Sequence, residues 1–384
     1  MHTNFKSHLM RNTALSAGIA GALFFGLPLN AAHAKSGKMK IEVGGYFTSL
    51  AGWATQNDSF ESTANSTSRV SYDNFDIKND SEIHFIGSTK LDNGITVEVV
   101  VEIETDQSNT GGADHVSTDD SFIALSGNFG KIAIGTQDHA TVMIANTAPN
   151  VGAIPADDAD DWIIKPSAIG VGDPFTHIGG ATDMKITYLS PTFSGLTVAA
   201  SYTPSDNAIN TQPIVGGTAG TENQTYDAGI AYAGNLGAVS VGLDTSYWET
   251  HGPATSSLKG WRVGGVLEVS GFAVGAAYKD MTDIDSGQTG TANSNDEIVW
   301  EVGASYSKDA WAVGVTYVAA GRDLATATPG KDTGDRLTVG GSYTVGPGID
   351  LLGTIARVDW DDESTADANN NDGWAVIGGI SVAF

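Results

Sequence analysis

Four aspartates, Asp157, Asp158, Asp160 and Asp161, stand within five consecutive positions, with Trp162 beside them. Carboxylates so crowded attract cations through their summed field and offer the hard oxygens that calcium prefers. A solvated turn would carry the same residues, so the cluster gains meaning only from where the fold puts it. A second acidic stretch runs through Asp359, Asp361, Asp362 and Glu363 to residues 367–372. It could hold Ca2+. Its segment Asp367-Ala-Asn-Asn-Asn-Asp-Gly373 comes near a calcium-loop spacing, but the glycine falls one place late and the closing Glu is missing.

Catalytic chemistry is not expected. The histidines after residue 34, His84, His115, His139, His177 and His251, are scattered, and no Gly-x-Ser-x-Gly, His-Glu-x-x-His or phosphate-loop pattern occurs. Of these, His84 is the best candidate base. Apart from calcium, no cofactor is implied. A formal net charge of −26 argues against nucleic acid as a partner, because phosphates would be repelled.

Whatever these charges do, some scaffold must position them without disulfides, for the chain has no cysteine. Residues 1–34 read as a cleaved signal peptide: Lys6 and Arg11 precede an apolar stretch from Ala14 to Ala31, which ends at Ala32-His33-Ala34. From residue 35 to 384 no apolar run is long enough for a transmembrane helix, so a membrane-embedded chain would have to be a closed β-barrel.

Period-two alternation supports that reading. Trp374, Val376, Gly378, Ile380, Val382 and Phe384 share one parity, and the same signature recurs in Trp261–Val269, Phe272–Tyr278, Ile298–Tyr306, Trp311–Tyr317 and Leu337–Val345. Short connections such as Leu91–Gly94, Gly127–Gly130, Ser270-Gly271 and Gly346–Gly348 carry hairpin residues. Between them lie long polar loops, the longest over residues 138–182. Seven short and eight long connections join sixteen strands. An even count puts both ends on one side, so first and last strands can pair and close the ring. A soluble sandwich has no reason to alternate loop lengths in this way. Trp53, Trp248, Trp261, Trp300, Trp360 and Trp374 fall at strand ends by long loops, as one of two aromatic girdles would require.

Residues out of phase with the lipid set must face a water-filled lumen. By parity these include Lys78, Glu82, Lys90, Glu98, Glu102, Lys131, Lys185, Arg262, Lys279, Glu301, Arg336 and Arg357.

The segment Ser121–Gln137 (SFIALSGNFGKIAIGTQ) resembles the hairpin that precedes the constriction loop in Gram-negative general porins, and Ile186–Leu196 (ITYLSPTFSGL) resembles their next hairpin. Ile41–Tyr46 and the terminal Phe384 are similar too, and the likeness leans toward the glycine-rich, acidic porins of alphaproteobacteria. This resemblance implies a sixteen-stranded antiparallel transmembrane β-barrel of the all-β class, with long external loops, short periplasmic turns and an in-folded third loop. It also implies a homotrimer in the bacterial outer membrane, in contact with lipopolysaccharide, passing small hydrophilic solutes by passive diffusion. Residues 138–182 become the candidate constriction loop, with Asp157, Asp158, Asp160, Asp161 and Trp162 as a cation-preferring eyelet. In the resembling family, basic wall residues oppose loop carboxylates, a role for Lys78, Lys90, Lys131, Arg336 and Arg357 here. The loop lacks the motifs that enteric porins carry there. Two other readings are a substrate-selective channel, hinted at by Trp162 and Phe175, and a surface adhesin acting through its loops.

Overall fold

In the computed structural model, the residues described are 39–63, 73–105, 117–171, 178, 183–204, 224–251, 257–284, 296–323 and 330–384. The signal-like segment 1–34, His115, Phe175 and His177 lie outside them.

Among the described residues, sixteen antiparallel strands close into one barrel. They are β1 (Lys40–Ala54), β2 (Phe75–Lys90), β3 (Thr96–Glu104), β4 (Ser117–Gly127), β5 (Gly130–Thr136) and β6 (Met184–Leu189). Then come β7 (Leu196–Thr203), β8 (Gln224–Leu236), β9 (Val239–His251), β10 (Ser257–Val269) and β11 (Phe272–Ile284). The last five are β12 (Glu297–Lys308), β13 (Trp311–Asp323), β14 (Lys331–Gly346), β15 (Ile349–Asp361) and β16 (Asn371–Ala383). β1 pairs with β16 from Tyr46↔Ala383 to Ala54↔Ala375, and Gly45 and Phe384 exchange backbone hydrogen bonds at 3.1 Å. No strand is left as an edge, so every ladder is satisfied within the chain, as hydrocarbon surroundings demand. No helix among the described residues is long and apolar enough to cross a membrane.

Turn chemistry fixes the registers. At Ser194-Gly195 and Ser270-Gly271 both residues have positive φ (49° and 87°, 50° and 85°), the backbone of a two-residue hairpin whose twist matches that of its strands.

Alternation holds along the wall: in β16, Trp374, Val376 and Ile380 are exposed on the outer face while Ala375 and Ile377 are buried inside. Trp53, Trp261, Trp300 and Trp374 are exposed outward as girdle residues should be. Trp248 and Trp360 are not. Both are buried on the inner face, each lying over a glycine of the neighbouring strand; a Cβ on Gly260 would sit 2.1 Å from the Trp248 ring, and one on Gly334 2.5 Å from that of Trp360.

The largest apolar core is inside the barrel. Ala153, Ile154, Ala156, Ala159, Trp162, Ile163, Ile169 and Val171 of the loop between β5 and β6 (L3) pack against inward residues of β1, β12, β13, β15 and β16, among them Leu50, Val299, Val318, Val358 and Ile377.

Candidate functional site

L3 leaves β5 and follows the inner wall through successive strands, held by one polar anchor after another. His139 Nδ1 lies 2.9 Å from Asp227 Oδ2 on β8, and Thr141 donates to Asp227 Oδ1 through both its N–H and its hydroxyl. Asn146 N donates to Asp244 Oδ1 on β9 at 2.6 Å, while Arg262 on β10 pairs with Asp244 Oδ2 and donates to the Asn146 carbonyl at 2.7 Å. Thr316 on β13 donates to the Pro149 carbonyl, and Ala153 N donates to Thr354 Oγ1 on β15. Further on, Gln56 after β1 and Asn371 on β16 clasp Trp162 and Ile164 through their backbone groups.

Between these anchors the wall presents glycines to the loop. Cβ atoms added at Gly264, Gly275, Gly303 and Gly340 would meet L3 backbone oxygens of Asn146, Thr147, Pro149 and Val151 at 2.1, 2.7, 3.1 and 1.7 Å. These inward glycines form a bed on which loop backbone rests directly, a use of glycine that close backbone approach requires.

The acidic cluster lies near the far end of this path, in a tight 3-10 turn at Ala159–Asp161. Asp160 Oδ2 is 3.7 Å from Arg336 Nη2 on β14, whose guanidinium also stacks over Trp360 at 4.3 Å. Trp162 is buried over Gly52, with Lys78 Nζ 5.2 Å from its ring centre. Asp158 is half-buried in area, but the protein packed around it desolvates its carboxyl. That burial, then Asp157, Asp161, Asp160 and Asp80, raises the group well above its ordinary value. A raised carboxyl favours the folded loop while protonated, and that contribution is lost as pH rises through its folded value. Protease resistance of L3 is therefore expected to fall as pH rises above the ordinary carboxylate range in the native chain and to stay nearly level in Asp158→Asn. Equal pH dependence in both proteins would show that Asp158 does not govern it.

The inner side of β2–β4 carries a second acidic surface. Asp80, Glu82, Glu98, Glu102 and Glu104 share the inward parity with Lys78 and His84. A β-bulge sets Asp119 and Asp120 of β4 opposite the single residue Glu102 of β3, so both consecutive aspartates are buried on the lumen side. Tyr46 donates to Asp80 and Glu82 at 2.8 and 2.9 Å, and His84 lies 2.7 Å from Glu82 and 4.0 Å from Glu102. Glu82, His84 and Glu102, and likewise Glu82, Glu104 and Asp119, bring ligand atoms within 4.8 Å of one another, so either trio could hold a cation.

A closed sixteen-stranded wall, a loop folded along its inside and two acidic surfaces facing the lumen describe a channel lining. The sequence pattern of the Gram-negative porins matches residues 22–363. The chain belongs to that family. Over 205 residues it is 26% identical to the monosaccharide porin of a Halomonas species and to the major outer membrane protein of Halomonas elongata. The matches cover 50% of this chain and 48% of each relative, so the porin spans about half the length of the curated relatives it matches. Among solved structures it is similar to an anion-selective porin from Comamonas acidovorans, with a TM-score of 0.63 at 16% identity, covering 90% of this chain and 100% of that one. It is also similar to the trimer form of OmpT from Vibrio cholerae, with a TM-score of 0.59 at 13% identity, covering 90% and 99%. The porin is thus an outer-membrane, multi-pass β-barrel, and its family and fold point to a channel rather than to an enzyme.

The porin's basic residues do not gather at one level. Lys78 lies near the long-loop end of β2, 2.9 Å from Asp76. Lys90 is exposed at the short-turn end of the same strand, and Lys131, 3.2 Å from Glu98, sits beside another short turn. Arg336 is fully buried on the inner face. Arg357 must be corrected: it shares its parity with the exposed Leu351 and Ile355, lies opposite Trp374, and pairs with Asp359 at 2.9 Å on the outer face. Alternation misleads in β15 because L3 makes the lumen side as apolar as the lipid side, burying Leu352, Ala356, Val358 and Trp360 inward.

Sequence parity could have found Asp80 and Glu104, which share a face with Glu82 and Glu102. The inward turn of Asp119 depends on the bulge, for which the sequence gives no sign. The calcium-like segment at 367–373 forms a 3-10 turn at Asp367–Asn369 and then enters β16, with Asn369 and Asn370 donating to Asp362 and to backbone carbonyls.

Proposed function

We propose that the porin is a general diffusion channel for small hydrophilic solutes that prefers cations, with residues 1–34 removed on export. The observation that carries this reading is the acidic strip Asp80, Glu82, Glu102, Glu104, Asp119 and Asp120 on the inner side of β2–β4, with Asp80 near enough to the aspartate turn at 157–161 to act on Asp158. Lys78 and Lys131 are matched by Asp76 and Glu98, outside the strip, at 2.9 and 3.2 Å, so they offset little of it, whereas His84 lies 2.7 Å from Glu82 within it. A unit charge about 5 Å from a permeating ion in water contributes roughly 0.8 kcal/mol before screening. Removing two such charges shifts cation and anion by about 1.6 kcal/mol each in opposite directions, so the cation-to-anion permeability ratio should fall by up to about two-hundredfold before screening, and by far less as salt screens the field.

The test is reversal potential in a planar bilayer across a KCl gradient, for the native porin and for Glu102→Gln/Asp119→Asn. The expected result is a cation-side potential that shrinks in the variant while conductance steps persist. An anion-side potential in the native protein, as for the similar Comamonas porin described as anion-selective, would overturn the preference. Assembly as a homotrimer is supported by the similar OmpT trimer form and by the polar pair Ser49↔Asn79, which points outward at mid-strand. Contact with lipopolysaccharide belongs to the same reading.

A further inference from the structure

Asp332 is fully buried on the inner face near the start of β14. Its Oδ2 accepts from the N–H of Gly170, on the stretch of L3 that follows Trp162, but no donor reaches its Oδ1. Two residues of the loop between β15 and β16 bring their carboxylates to the same place: Asp332, Asp362 and Glu363 each offer one ligand atom, all within 4.8 Å of one another. Arg322, whose charge also reaches Asp332, donates to the Gly170 carbonyl at 2.6 Å.

The cluster is built rather than incidental. Asn369 Nδ2 donates to Asp362 Oδ2 at 2.7 Å, and Asp362 N donates to Asn370 Oδ1 at 2.9 Å, which fixes the loop's path. Gly330 makes room for Glu363, whose Cβ would lie 2.1 Å from any Cβ placed there.

We propose that Asp332, Asp362 and Glu363 bind a calcium ion that clamps L3 at Gly170 to β14 and to the β15–β16 loop. An all-carboxylate set with no nitrogen or sulfur ligand suits a hard cation, and loop-borne ligands completed by water suit the flexible coordination of calcium. The buried Asp332 oxygen supplies what a surface cluster lacks, a ligand already desolvated and short of a partner. Sequence reading reached only the loop half of this site, since Asp332 lies thirty residues away on another strand.

The test is calorimetric titration of the folded, chelator-stripped porin in detergent with CaCl2, together with Asp332→Asn, Glu363→Gln and, as a control at the opposite end of the barrel, Glu42→Gln. One saturable site per chain is expected, weakened about tenfold or more in Asp332→Asn and Glu363→Gln and unchanged in the control. Calcium should also protect L3 from proteinase K near Gly170, and that protection should vanish with the site. Glu363 is solvent-exposed, so its variant tests the site even where the Asp332 variant folds poorly. Equal binding by native protein and Glu363→Gln, or weak unsaturable binding throughout, would overturn the proposal. Neither result depends on the ion preference of the channel.

Discussion

Replacing Gly340 by valine is expected to drive L3 off the wall and to lower single-channel conductance. A Cβ at this position would lie 1.7 Å from the Val151 carbonyl oxygen and 2.7 Å from its carbon. Both obstacles are backbone, so no side chain can swing aside. Either β14 bends outward or L3 shifts inward by an ångström or more. Hydrogen-bonded neighbours hold β14 on both sides, with unbroken registers to β13 and β15 through Gly340. The loop must yield, and the only free volume is the lumen. Its displacement should break the Ala153–Thr354 hydrogen bond, 2.7 Å in the native chain, and loosen the apolar seam that follows at Ile154 and Ala156. Overpacking of this kind costs about 1–3 kcal/mol. The expected readout is smaller conductance steps together with new protease cleavage in L3, from a barrel that still resists unfolding in detergent. Gly346→Ala is the control, since a Cβ there meets nothing within 4 Å. Native conductance and an intact loop in Gly340→Val would show that L3 does not rest on the wall.

The glycine bed explains which parts of the fold could be read from sequence. Strand count, closure and turn positions followed from alternation and hairpin residues, because lipid on one side and water on the other impose a period of two. That reasoning fails wherever the lumen side is not wet. Along β15 the inner face meets L3, so Leu352 and Val358 are as apolar as Leu351 and Ile355, and parity alone puts Arg357 on the wrong face. Trp248 and Trp360 mimic girdle residues for a related reason: a tryptophan at a strand end looks the same in sequence whether it faces lipid or lies over an inward glycine. The abundance of glycine was visible, yet its purpose was not. Gly264, Gly275, Gly303 and Gly340 lie on four strands and line up only once the registers are set.

The candidate site was legible by halves as well. The aspartate turn stands out in sequence because its residues are contiguous, and L3 does carry it along the inside of the barrel. The second acidic surface is assembled from three strands, and one of its members turns inward only through a bulge. The opposing bases implied by family resemblance are dispersed along the barrel, and acids take much of the open wall. An eyelet with carboxylates on both sides differs from one with a transverse field, and it should favour cations without orienting dipolar solutes strongly.

The second large effect is expected at Arg262→Met. Arg262 and Asp244 are fully buried by L3, and together they grip Asn146: Arg262 Nη2 holds its carbonyl at 2.7 Å, while Asp244 Oδ1 accepts from its backbone N–H at 2.6 Å and its side-chain amide at 3.1 Å. Methionine would fill much of the same volume but leave Asp244 without its cation beneath the loop. Breaking a buried pair in this way costs about 3–5 kcal/mol, against 1 kcal/mol or less for a pair that water can reach. The barrel wall should stay closed, so the loss should fall on the first half of L3, between its anchors at Asp227 and Thr354. Urea titration followed by protease cleavage of L3, read against gel mobility of the intact barrel, separates the two. Adding Asp244→Asn to Arg262→Met should recover much of the lost stability, because the uncompensated charge is then gone. Recovery would mean that the pair serves to seat the loop and that its cost is set by burial. A loss near zero in Arg262→Met alone would mean that lumen water reaches Asp244, and that the glycine bed, with its apolar seam, holds L3 without it.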